Sequence, residues 1–196
     1  MPEIAGLAEF PLQLDEADRK RILHAVKEAV ESFVIDRIKR KDLFDWLPKI
    51  PCGTFVTITK NRMLRGCIGF PEAHYQIGEA LLLSAIYAAT EDPRFPEVTA
   101  DELKDLQYEV TILGKPVQFD PKMVSSEISI GTHGLIVERG YHRGLLLPQV
   151  AVEYSMGPLE FLEAACEKAG LPGGSWKLSG TKVYKFPGYS FSDSPS

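Results

Sequence analysis

The run Leu64-Arg65-Gly66-Cys67-Ile68-Gly69 holds the residue types and spacing in this sequence that are best suited to chemistry. Read as a strand, its alternation sets Leu64, Gly66, Ile68 and Phe70 on one face and Arg65, Cys67 and Gly69 on the other. The apolar face belongs to a core. The second face then carries a guanidinium beside a thiol, flanked by glycines that let a ligand approach the backbone closely. A neighbouring cation lowers a thiol pKa, which would make Cys67 a reactive thiolate. The same residues also fit a small buried cysteine beside an arginine paired with a carboxylate.

Other reactive patterns are missing from the sequence. There is no GxxxxGK[ST] phosphate loop, no GxGxxG turn, no HExxH and no GxSxG elbow. His24, His74, His133 and His142 are not spaced as a metal pair. Cys52, Cys67 and Cys166 are odd in number, widely separated and without a CxxC, so reduced thiols and no metal are expected. No motif specifies a cofactor. Cys52 at a strand entry and Cys166 on a helical apolar stripe suit packing, which leaves Cys67 as the reactive candidate.

The elements that must position these residues follow from periodicity. Ile22, Val26, Ala29 and Phe33 repeat at helical spacing over about 16–38, with Asp15 as N-cap and Asp18 at N3. Residues 53–60 and 63–70 read as a hairpin around Asn61-Arg62. A helix is predicted over about 76–90, then a loop at Asp92-Pro93-Arg94-Phe95-Pro96 and a capping box at Thr99-Ala100-Asp101-Glu102. A strand over 107–113 and a second hairpin, 134–139 with 144–147, follow. A helix over 158–169 and a last strand over 182–186 complete the pattern. Hairpins interleaved with helices, without a βαβ rhythm, predict an α+β fold with a largely antiparallel sheet. The expected domain covers residues 8–190 and a tail covers 191–196.

Bulk properties bound the function. A net charge of -5 argues against non-specific nucleic-acid binding, and the basic cluster Arg37, Lys39, Arg40, Lys41 fits the end of a helix. No stretch has the length of a membrane span and the N-terminus lacks a secretory pattern, so a cytoplasmic protein is expected.

The six-residue run resembles the signature of the AMMECR domain family. The likeness continues through Ala88-Ala89, Asp92-Pro93-Arg94-Phe95, Glu109-Val110, Gly131-Thr132-His133-Gly134-Leu135 and Gly144-Leu145-Leu146-Leu147-Pro148-Gln149-Val150-Ala151, followed by Glu153. The resemblance implies a two-lobed α+β domain of archaeal or bacterial type, with the signature near a cleft between lobes. It leaves the activity unassigned, and implies Memo-type and radical SAM proteins as partners.

Two functions are therefore expected to compete. In one, an enzyme or small-molecule-binding protein uses Cys67 as nucleophile or sensing thiol, with Arg65 as an anion clamp, His133 as a base and Glu109 as an orienting carboxylate. Gly66 and Gly69 would line that site, and Arg65 would pair with Glu109 or Glu153. In the other, a non-catalytic subunit supports Memo-type or radical SAM partners.

Overall fold

The computed structural model describes residue 12 and residues 14–193. These residues fall into two compact units, one of residues up to 113 together with 190–193, the other of residues 114–189. The fold is α+β, and the strand pairings within each unit are antiparallel.

The larger unit starts with α1 (Glu16–Asp36), whose capping box joins Asp15 and Asp18 reciprocally. The helix stops at Asp36 because Arg37 turns left-handed at φ 59°. Next come β1 (Gly53–Lys60) and β2 (Met63–Phe70), joined at Asn61 and Arg62. Both residues have positive φ, 52° and 63°, the signature of the twisted hairpin turn that keeps strands together. Then follow α2 (Ile77–Thr90) and β3 (Leu106–Leu113). β3 pairs with the other side of β1, so in this unit β2 is an outer strand. Val56, Ile58, Val110 and Ile112 supply one fully buried sheet face, and Ile22, Val26, Leu81 and Ala85 supply the helical half of the core.

The smaller unit holds β4 (Val117–Phe119), α3 (Val124–Glu127), β5 (His133–Arg139), β6 (His142–Leu146), α4 (Pro148–Glu153), α5 (Pro158–Lys168) and most of β7 (Lys182–Ser192). Its core joins Leu135, Val137 and Val183 to Phe161, Leu162, Ala165 and Cys166 of α5. The second hairpin is tighter than the sequence suggests: Arg139 pairs with His142 across Gly140-Tyr141, with Gly140 at φ 61°. β7 is longer than expected. The expected tail from residue 191 is strand through Ser192, while residues 194–196 lie outside the described residues. The register of Ser190 is fixed by Thr111, whose hydroxyl lies 2.8 Å from that of Ser190. Among the described residues no helix is long and apolar enough to cross a membrane.

Both units seat a helix on a hairpin through a glycine. A Cβ on Gly66 would stand 1.9 Å from the Ala88 carbonyl oxygen of α2, and one on Gly144 would stand 2.3 Å from the Ala169 nitrogen at the end of α5. The obstacle is backbone in each case, so no rotamer change relieves it. Gly66→Ala is therefore expected to lower unfolding free energy by about 3 kcal/mol, measured by urea titration. Gly157→Ala, whose Cβ would meet only Glu160 Oε2 at 3.6 Å, should cost far less.

Candidate functional site

An irregularity in β2 sets the geometry around Cys67. Gly66 pairs with Ile58, but Leu64 pairs with Thr59, which leaves Arg65 as the extra residue of a β-bulge. The extra residue shifts the alternation. Leu64 consequently shares Thr59's side of the sheet and is exposed, not buried on the Ile58 side as strict alternation predicts. Downstream the expected faces hold: Gly66 lies opposite buried Ile58, and Cys67 opposite Thr57.

Arg65 leaves the strand at the bulge and reaches the 3-10 turn Ala100–Asp105. Its Nε and Nη2 donate to the two oxygens of Glu102 at 3.1 and 2.9 Å, while Nη1 donates to the Pro96 carbonyl and Nη2 to the Glu97 carbonyl. The partner is thus Glu102, not Glu109 or Glu153. With the fork occupied inside the protein, Arg65 is not an open anion clamp. Glu102 also accepts from Lys60 Nζ at 3.0 Å and from the Thr99 N–H at 3.1 Å. The Arg65 guanidinium holds its carboxyl well below the usual carboxylate range, with help from the Thr99 N–H and Lys60 against the cost of burial.

A second clamp grips the backbone of Cys67. Its N–H donates to Asp92 Oδ2 at 2.8 Å, and its carbonyl accepts from Arg94 Nη2 at 3.4 Å. Asp92 and Arg94 are joined by a two-pronged ion pair, Nε to Oδ1 at 2.9 Å and Nη2 to Oδ2 at 2.6 Å. The Asp92 side chain is only 2% exposed. Arg94 is the main reason its carboxyl sits far below the ordinary range, and the Cys67 and Arg94 N–H groups add to the effect. Asp92, Arg94 and Glu102 were not among the expected site residues. The available signal was an acid and a base flanking Pro93 directly after a helix, and a capping glutamate with a second oxygen to spare.

The side chain of Cys67 belongs to a polar row. Cys67 pairs with Thr57 and Thr57 with Glu109, so thiol, hydroxyl and carboxylate cross three strands on the face opposite Val56 and Ile58. Thr57 Oγ1 lies 3.2 Å from Cys67 Sγ. Burial pushes the thiol pKa up; Thr57 and Arg94 pull it down, and Asp92 and Glu109 push it up further. Cys67 is therefore a neutral thiol at rest, not the thiolate that a neighbouring cation suggested. Cys52 donates to the Leu113 carbonyl at 3.1 Å and burial raises it to about 12. Cys166 is fully buried, and burial raises its pKa too.

The expected glycines serve packing. Gly66 admits α2, and a Cβ on Gly69 would fall 2.2 Å from the Thr54 carbonyl and 2.4 Å from the Phe55 ring. The close approach is made by the protein itself, not by a ligand. His133 and Glu153 belong to the smaller unit. His133 is buried, and its Nδ1 accepts from the Ser129 N–H at 3.0 Å. Glu153 is exposed at the end of α4. The two arginines of the basic cluster are neutralised locally, Arg37 by Glu97 at 2.9 Å and Arg40 by Glu28 and Asp42 at 3.1 and 2.7 Å. Among the described residues no three His, Cys, Asp or Glu side chains converge as a metal site.

The AMMECR1 family model matches residues 15–191. A protein of Thermoplasma acidophilum is 49% identical over 194 residues, covering 97% of this chain and 93% of its own. One from Methanosarcina mazei is 50% identical over 143 residues, 72% of this chain and 71% of its own. The crystal structure of an uncharacterised protein from Pyrococcus horikoshii matches with a TM-score of 0.82 at 37% identity, covering 92% of this chain and 94% of that one.

Two depressed carboxylates give the clamps a pH signature. Asp92 and Glu102 lie below their ordinary values of 3.8 and 4.5, so the unfolded chain binds more protons in acid. Their contribution is complete above those values and is lost as pH falls through the lower folded ones. Asp92→Asn should cost roughly 2–4 kcal/mol at neutral pH, because a buried carboxylate that holds both the half-exposed Arg94 and the Cys67 N–H loses its charge. Its urea midpoint should also fall less steeply than the wild type's from about pH 4 downward.

Proposed function

We propose that this chain, which belongs to the AMMECR1 family of uncharacterised proteins, binds a small polar molecule on the sheet face that carries Cys67, Thr57 and Glu109. The row itself carries the reading. Three different polar groups are aligned on a sheet face, and Cys67 and Thr57 are only half-buried. The surrounding clamps are satisfied internally and hold that row in place without taking part in contact. A thiol and a hydroxyl, each both donor and acceptor, offer weak hydrogen bonds to such a molecule beside the Glu109 carboxylate.

Thiol labelling tests the accessibility of the row: Cys67 should label before Cys52 and Cys166, since both of those are buried. The rate should keep rising above the ordinary thiol range, because the Cys67 pKa is raised.

A second reading, a subunit that supports Memo-type or radical SAM partners, draws on Val152, Tyr154 and Leu159. These side chains are 57, 71 and 48% exposed around the α4–α5 junction. Native mass spectrometry of the protein purified from its own host tests the main proposal. A small bound molecule lost on Glu109→Gln and Cys67→Ala substitution supports it. A stoichiometric protein partner with no small molecule favours the second reading and overturns the first.

A further inference from the structure

A separate concavity of about 210 Å³ lies in the larger unit, between the segment that follows the 3-10 turn Lys41–Phe44 and the first turn of α2. Buried Phe44, Leu47 and Leu82 form its apolar floor. Gly78 lets that floor form, since a Cβ there would stand 2.9 Å from Phe44 Cβ. The volume corresponds to about seven water molecules, the room a compact ligand of similar heavy-atom count requires.

The rim decides the ligand's charge. It carries two cations, Lys41 and Lys49, and two carboxylates, Asp45 and Glu79. Lys49 and Asp45 pair with each other at 3.8 Å. Lys41 and Glu79 have no ion-pair partner among the described residues, so one free charge of each sign faces the opening. Among the described residues the N–H groups of Gly78 and Glu79 also lack a backbone acceptor, whereas those of Ile77 and Ala80 donate to the carbonyls of Ile50 and Gln76. A net anion would meet an unpaired Glu79, and a net cation an unpaired Lys41. A zwitterion meets neither problem.

We propose that this concavity binds an aliphatic α-amino acid. The carboxylate is held by Lys41 and the Gly78 and Glu79 N–H groups, the ammonium by the Glu79 side chain, and the aliphatic group by Phe44, Leu47 and Leu82. The site is independent of the Cys67 row, so each reading stands or falls alone.

The test is an NMR titration of the full ¹⁵N-labelled chain with L-leucine, N-acetyl-L-leucine and L-leucinamide. L-leucine is expected to shift the Gly78 and Glu79 amides saturably at millimolar concentration. Each blocked analogue should bind about tenfold more weakly, the effect of about 1.4 kcal/mol for one lost charge contact. Lys41→Met and Glu79→Gln change exposed side chains, and each should weaken L-leucine by a similar factor while the rest of the spectrum stays unchanged. No saturable shift at Gly78 and Glu79, equal binding of the three compounds, or insensitivity to both substitutions would overturn the proposal.

Discussion

In an open sheet the last strand shows half of its backbone groups to water or to another chain, and β2 is placed where this would happen. At Cys67 the missing neighbour is replaced by two side chains. Asp92 takes the N–H and Arg94 the carbonyl, as the backbone of an added strand would. The substitution works because Asp92 is buried and ionised, and because Arg94 offsets the cost of burying it. The remainder of the site depends on this contact. It ties the loop after α2 to the strand and fixes the Cys67 backbone, so the thiol lies against Thr57.

The six-residue signature then has a physical explanation that does not require a reaction. Arg65 is the bulge residue that bends the strand edge and docks on Glu102. Gly66 admits the helix, and Gly69 admits the Thr54 carbonyl and the Phe55 ring. Cys67 directs its thiol to the opposite face, where Thr57 Oγ1 lies 3.2 Å from Sγ. That division, packing on one face and a short polar row on the other, makes the row, and not the arginine or the glycines, the place for the proposed ligand.

Local patterns in the sequence carried much of this fold. The cap at Asp15, the turn at Asn61-Arg62 and the strand over 107–113 each depend on neighbours in the chain, and each reads correctly from it. The bulge at Arg65 does not. It is set by an unequal pairing of two strands, and it alone reverses the side on which Leu64 lies. The arginine's partner is not legible in the sequence for a related reason: Glu102 satisfies its own helix cap with one oxygen, and nothing local shows that the carboxylate also meets Arg65 and Lys60. The end of β7 was hidden as well, because the polar residues Ser190 and Asp193 become ordered through Thr111 and Tyr108, far away in sequence.

Amide hydrogen exchange at Cys67 tests the replacement of a strand by an ion pair most directly. An edge amide that faces solvent opens with almost no cost and exchanges quickly. If Asp92 holds the Cys67 N–H as a sheet partner would, that amide should exchange about as slowly as the interior amides of β1. Exchange at the rate of an unprotected edge amide, in a folded protein at neutral pH, would contradict the account.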